Sequence, residues 1–187
     1  MKKLLLPLLL QAFSFAGHAQ ALKPAVGVGT TFSYRLDLHG QGAPFELTVK
    51  SIRDTLKLGW QIRSLATGTY AVSPEAWQNA TSLNMAQPQP FVTVPLPNHQ
   101  TFLMLSKKAF ADLLAQRRFT YDRTVYVLKD DLAANPLLVK GQPLDVLHVV
   151  AQNDPTEFWI LNNATFPIIC QIKHNPLGVD FLLSAVK

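Results

Sequence analysis

Cysteine is almost absent from this chain. Cys170 is the only one in 187 residues, so no intramolecular disulfide is possible and stability must come from a hydrophobic core. None lies near the N-terminus, which removes the attachment point of a lipid-anchored lipoprotein. Within a predicted strand, Cys170 reads as a small buried residue rather than a reactive thiol. After the first twenty residues no apolar run approaches the ~20 residues that span a bilayer. Catalytic motifs are missing too: there is no Gly-x-Ser-x-Gly elbow, no His-Glu-x-x-His, no Walker loop and no Gly-x-Gly-x-x-Gly. Charge of one sign is scarce. The formal net charge is +5, falling to about +3 without Lys2 and Lys3, too mild and too scattered to mark a nucleic-acid-binding surface.

What is present begins with an address. Met1-Lys2-Lys3, the apolar run Leu4 to Gly17 and the small-residue patterns Gly17-His18-Ala19 and Ala19-Gln20-Ala21 follow the order of a secretory signal peptide over residues 1–21. The expectation is a periplasmic or secreted protein whose residues 22–187 form a single β-rich domain.

Alternation dominates that domain. Phe32, Tyr34, Leu36 and Leu38 oppose Ser33, Arg35, Asp37 and His39; Phe45, Leu47 and Val49 oppose Glu46, Thr48 and Lys50; Leu56, Leu58, Trp60 and Ile62 oppose Lys57, Gly59, Gln61 and Arg63. Each set is a half-buried strand. A short fourth follows at 69–72, and Ser73-Pro74-Glu75 caps a helix of a turn or two. Pro88, Pro90, Pro95 and Pro97 then confine residues 81–98 to loop or edge strand around Phe91 to Val94. Thr101 to Leu105 reads as a further strand. Over 106–118 Ser106 caps the one amphipathic helix, with Ala109, Phe110, Leu113 and Leu114 at helical spacing and Arg117 and Arg118 in its last turn. Hairpins follow over 119–128 and 137–152.

Three short runs close the chain: 156–161, 166–173 and 179–187. One face carries Phe158, Ile160, Ile168, Cys170, Ile172, Val179, Phe181, Leu183 and Ala185 and is wholly apolar. The other is mixed, and Trp159, Ile169 and Leu182 on it need cover. The amphipathic helix is the expected cover.

The histidines offer little chemistry. His39, His99, His148 and His174 are not spaced as metal ligands, and His148, on a face with Val146 and Val150, reads as a hydrogen-bonded structural residue. A catalytic grouping would need His148 to meet Asp122 or Tyr121. Asn79-Ala80-Thr81 and Asn163-Ala164-Thr165 match the glycosylation sequon. The basic residues Lys107, Lys108, Arg117, Arg118 and Arg123 read as a solvated helix surface.

The succession of antiparallel strands, an inserted amphipathic helix and a terminal meander holding Phe158-Trp159-Ile160-Leu161 and Phe166-Pro167-Ile168-Ile169 resembles the half-barrel envelope proteins related to the lipoprotein carriers. It is similar, too, to secreted bacterial proteins that end in a tryptophan strand and a Gly178-x-Asp180-Phe181 strand. The resemblance implies a periplasmic fold that shelters acyl chains or other apolar ligands; it is one of arrangement, and no functional motif transfers with it. The expectation is therefore a mainly β (α+β) protein, a curved antiparallel sheet or half-barrel covered by one helix. Its expected role is non-enzymatic: binding an apolar or lipid-like ligand, with Trp60, Phe110, Leu114, Trp159, Ile169 and Leu182 lining the site and no cofactor, metal or nucleic acid involved. The alternative is an envelope interaction or structural module with a filled core.

Overall fold

The computed structural model describes residues 21–187 apart from 133 and 135. The expected leader over residues 1–21 lies, Ala21 excepted, outside the described residues. Fifteen strands and two helices follow in the described chain: β1 Thr31–Leu38, β2 Gln41–Ile52, β3 Leu56–Ile62, β4 Ala66–Val72, α1 Pro74–Asn79, β5 Ser82–Leu83, β6 Thr93–Pro95, β7 Gln100–Thr101, α2 Lys107–Gln116, β8 Arg118–Tyr121, β9 Thr124–Leu128, β10 Leu138–Val139, β11 Gln142–Pro143, β12 Val146–Ala151, β13 Glu157–Leu161, β14 Ile169–Lys173 and β15 Val179–Val186.

Eleven of these strands make one sheet in the order β6-β4-β3-β2-β1-β15-β14-β13-β12-β9-β8. Every pairing is antiparallel except β4 with β6, and the sheet is not closed into a barrel. The register explains the dry face of β1, β2, β3 and β15; β13 and β14 are buried on both faces. Leu47 stands opposite Phe32 on β1 and Trp60 on β3, and Leu36 stands opposite Phe181 on β15. Alternation therefore delivers Phe32, Tyr34, Phe45, Leu47, Leu58, Phe181 and Leu183 to the same side, where all are buried. Burying seven such side chains yields on the order of 1.5–3 kcal/mol each before ordering costs.

Both helices lie where their caps were legible. Ser73 and Ser106 accept from the N–H groups of Ala76 and Ala109, satisfying donors that the first turn leaves free. The 106–118 helix ends sooner than its pattern suggests. Arg117 turns left-handed with φ 59° as the C-cap, and Arg118 already belongs to β8. Its apolar stripe, Ala109, Phe110 and Leu113, is buried, and the helix packs on β8 and α1.

Two expectations are corrected here. Thr101 to Leu105 is not a strand beyond Thr101, because Leu103 turns left-handed and breaks the extended run, leaving Met104 only an isolated bridge to Ile168; Phe102, Leu103, Met104 and Leu105 are all buried. These four instead pass through the core. Ile169 N–H donates to the Leu103 carbonyl at 2.8 Å and Leu105 N–H to that of Pro167 at 3.0 Å, and Leu103 adopts φ 48° to make the crossing. Tyr121 anchors it: its hydroxyl oxygen accepts from Ser106 N–H at 2.9 Å and lies 3.1 Å from Thr101 Oγ1.

The second correction concerns Trp159, Ile169 and Leu182, since α2 is not their cover. The Trp159 ring lies against His148 at 4.1 Å between centroids, Lys173 Nζ sits 4.6 Å above it, and Asp131, Pro136 and Leu137 of the segment before β10 close over the same place. Ile169 is fully buried, while Leu182 is left exposed.

Candidate functional site

The proline-rich segment forms a roof. Prolines 88 and 90 deny it a central strand position, yet its two ends are fastened. Asn84 N–H donates to the Thr101 carbonyl at 2.7 Å, beside the β5–β7 pair; Phe91 N–H donates to Thr67 and Thr69 N–H to Val92, at 2.6 and 3.0 Å, ahead of β6. Between these anchors, Met85, Ala86, Gln87, Pro88 and Pro90 arch over the open end of the sheet's dry face.

Under the roof is a cavity of about 590 Å³. Leu36, Phe45, Trp60, Ile62, Ala66 and Phe181 form its walls, and Phe102 of the core crossing also lines it. The aromatic walls hold one another at an angle: Phe45 and Phe181 rings are 5.5 Å apart and nearly perpendicular, and Phe45 lies 6.0 Å from Phe102. Apart from Trp60 itself, the polar side chains of the lining are His39 and Gln87, both exposed. No carboxylate, ammonium or guanidinium group lines the space. Its volume lies within the range of small-molecule sites, roughly 300–1,000 Å³, and its lining is mainly apolar.

Trp60 is the one expected ligand residue found here. It is 2% exposed, and its Nε1–H has no acceptor among the described residues. The Tyr70 hydroxyl, also buried, likewise lacks a partner. Its ring centroid lies 6.5 Å from that of Trp60 and 4.6 Å from that of Phe102, and burial pushes its pKa up to about 12.

The other five expected residues are not brought to this cavity. Phe110 is core beneath α2, and Leu114 is 52% exposed on the far side of that helix. Trp159 lines a different hollow of about 370 Å³ with His148, Glu157 and Lys173. Ile169 is sealed in the core, and Leu182 faces solvent. Leu36, Phe45 and Phe181 stand on the apolar faces that alternation predicts, while Phe102 arrives from the core crossing; only the position of the roof singles them out.

His148 is bonded through both ring nitrogens. Its Nδ1 lies 2.7 Å from Asp131 Oδ1 and its Nε2 lies 2.8 Å from Glu157 Oε2. The His148 hydrogen bond holds the Asp131 carboxyl below its ordinary value. Neither Asp122 nor Tyr121 joins it: Asp122 accepts from Leu83 N–H at 3.1 Å, and Tyr121 serves the core crossing. Among the described residues no group of three or more His, Cys, Asp or Glu is arranged to hold a metal ion.

The chain matches no family model, no curated protein and no solved structure.

Proposed function

We propose that this protein binds an apolar or lipid-like molecule beneath the proline-rich roof, acting as a carrier or receptor rather than as a catalyst, in the periplasm or outside the cell. The supporting observation is the cavity of about 590 Å³ whose walls are Leu36, Phe45, Trp60, Ile62 and Phe181, without a charged side chain. Transfer of apolar surface into such a space is favourable by roughly 25 cal/mol per Å², and a roof tied at both ends by backbone hydrogen bonds supplies a lid. Export agrees with the charged and apolar leader of the sequence.

Organic extraction of the purified protein followed by mass spectrometry checks this. Recovery of an apolar molecule in near-stoichiometric amount supports carriage. Protein that repeatedly yields none, and that leaves the fluorescence of the neutral probe N-phenyl-1-naphthylamine unchanged, contradicts it.

One observation favours a second reading, a contact surface for an envelope protein. Leu65 and Phe91 are both 79% exposed. They lie near one another, because Phe91 N–H bonds to Thr67 two residues past Leu65. Capture of one partner from envelope extract by the wild type and not by a Leu65→Ser, Phe91→Ser variant supports this alternative.

A further inference from the structure

Exposure grades the lining of the cavity under the roof, and, given the proposed binding of an apolar molecule there, the grading orients the ligand. Leu36, Phe45, Phe102 and Phe181 form the inner wall and are each 8% exposed or less. Ile62, Met85 and Val179 are half-buried, and Leu38, His39 and Gln87 stand exposed at the margin. The Trp60 Nε1, the one polar side-chain atom of the inner wall, has under 1 Å² of surface and is closed to a ligand. Every hydrogen-bonding side chain that a ligand can reach is therefore at the margin.

A hydrocarbon tail laid against the inner wall leaves water without giving up a hydrogen bond. A polar or ionised group carried to the same depth loses its hydration with nothing to replace it. At the margin the balance reverses. His39 occupies the turn between β1 and β2 with φ 51°, and its backbone N–H donates to the Gly178 carbonyl at 2.8 Å, which fixes the position of that turn next to Val179. An imidazole has an N–H to donate in either protonation state, and the Gln87 amide has two. The neighbouring carboxylates are already engaged by backbone amides: Asp37 accepts from Gly40 N–H at 2.7 Å, and Asp180 accepts from the N–H groups of His174 and Asn175 at 3.1 and 3.0 Å.

We infer that the ligand is a single-chain amphiphile, its hydrocarbon tail against the inner wall and its oxygen-bearing head, a carboxylate or a hydroxyl, at the margin, where the His39 imidazole and the Gln87 amide donate to it. His39 and Gln87 are thereby the specificity-determining residues of the site.

The test displaces N-phenyl-1-naphthylamine from the purified protein at neutral pH with dodecanoate, 1-dodecanol and dodecanedioate. The dioate has the same chain with a charge at both ends, so one carboxylate must lie against the inner wall. Dodecanoate, dodecanol or both should displace the probe, and the dioate should need at least about a hundredfold higher concentration. Displacement by dodecanoate alone assigns the head to an anion, and displacement by dodecanol alone to a neutral hydroxyl. A His39→Gly, Gln87→Ala variant changes two exposed side chains and keeps a residue suited to the positive φ at position 39. It should bind the displacing amphiphile about tenfold more weakly, the size of one net hydrogen bond, with its affinity for the naphthylamine unchanged. The His39 ring resonances of the wild type give a reading that needs no variant: the amphiphile shifts them and 1-tridecene does not. Equal displacement by the dioate, no displacement by either single-headed amphiphile, an undiminished affinity in the double variant, or His39 resonances unmoved at saturation overturns the inference while leaving apolar binding intact. Failure of the naphthylamine itself to bind overturns the binding reading as well.

Discussion

The indole of Trp60 lies directly over Gly68, its partner across the β3–β4 ladder. A methyl-sized Cβ at Gly68 would stand 2.6 Å from Trp60 Cζ2 and 2.8 Å from its Nε1. Gly68 is thus what allows a tryptophan to lie flat against the sheet and form a cavity wall.

Gly59 gives the matched control. A Cβ there would also come within 2.6 Å of a neighbour, but that neighbour is Lys50 Cε, near the free end of a flexible side chain. Gly68→Ala is expected to destabilise by about 1–3 kcal/mol, since a buried indole must move. Gly59→Ala should stay within about 0.5 kcal/mol of wild type or gain slightly from the lower entropy of its unfolded chain. Urea unfolding of both variants checks this; equal losses would show that Trp60 is not the obstacle.

Adjacent leucines of α2 should behave oppositely. Leu113 is fully buried and Leu114 is half exposed, so Leu113→Ala should cost about 2–5 kcal/mol and Leu114→Ser less than about 0.5 kcal/mol. Neither should alter probe binding under the roof. Loss of binding in Leu114→Ser would restore the helix to the ligand site.

Asp131 should report its bond to His148. Its carboxyl sits below the ordinary value chiefly because of that hydrogen bond, so the native state favours the charged form. The resulting stability is present above the ordinary aspartate range and is lost as pH falls through the lowered folded value. His148→Phe retains an aromatic ring over Trp159 and removes both nitrogen contacts. In that variant the Asp131 carboxyl resonance should titrate at higher pH than in wild type, and this part of the acid sensitivity should shrink. An unchanged titration would mean that the 2.7 Å contact does not persist in solution.

Cys170 should be inert. Burial pushes its thiol pKa far upward, which withholds the reactive thiolate. Iodoacetamide at pH 8 should leave native protein unmodified over hours and label it within minutes in denaturant; rapid native labelling would show that the core opens readily.

Much of the sheet was legible because alternation is local. The Phe32 to Leu36, Phe45 to Val49 and Leu56 to Trp60 sets each declare a face without reference to any partner, as do the serine caps at 73 and 106. What was hidden depends on chain crossings. Thr101 to Leu105 reads as a strand because an apolar run fits one, and nothing local announces the left-handed turn at Leu103 that breaks it. Trp159 was expected under α2, yet His148 and Lys173 of the flanking strands cover its ring, and Asp131, Pro136 and Leu137, where the sequence carries no periodic signal, line the same hollow. The roof over Phe45 and Phe181 was visible as a proline cluster; where it would lie was not.

The most direct measurement is titration of the folded protein with N-phenyl-1-naphthylamine, alongside an Ala66→Trp variant whose added indole fills the cavity beneath the roof. Saturable, near one-to-one binding by the wild type, lost in a variant with an unchanged unfolding midpoint, is the predicted result. Binding of equal strength by both proteins, or by neither, would contradict the account.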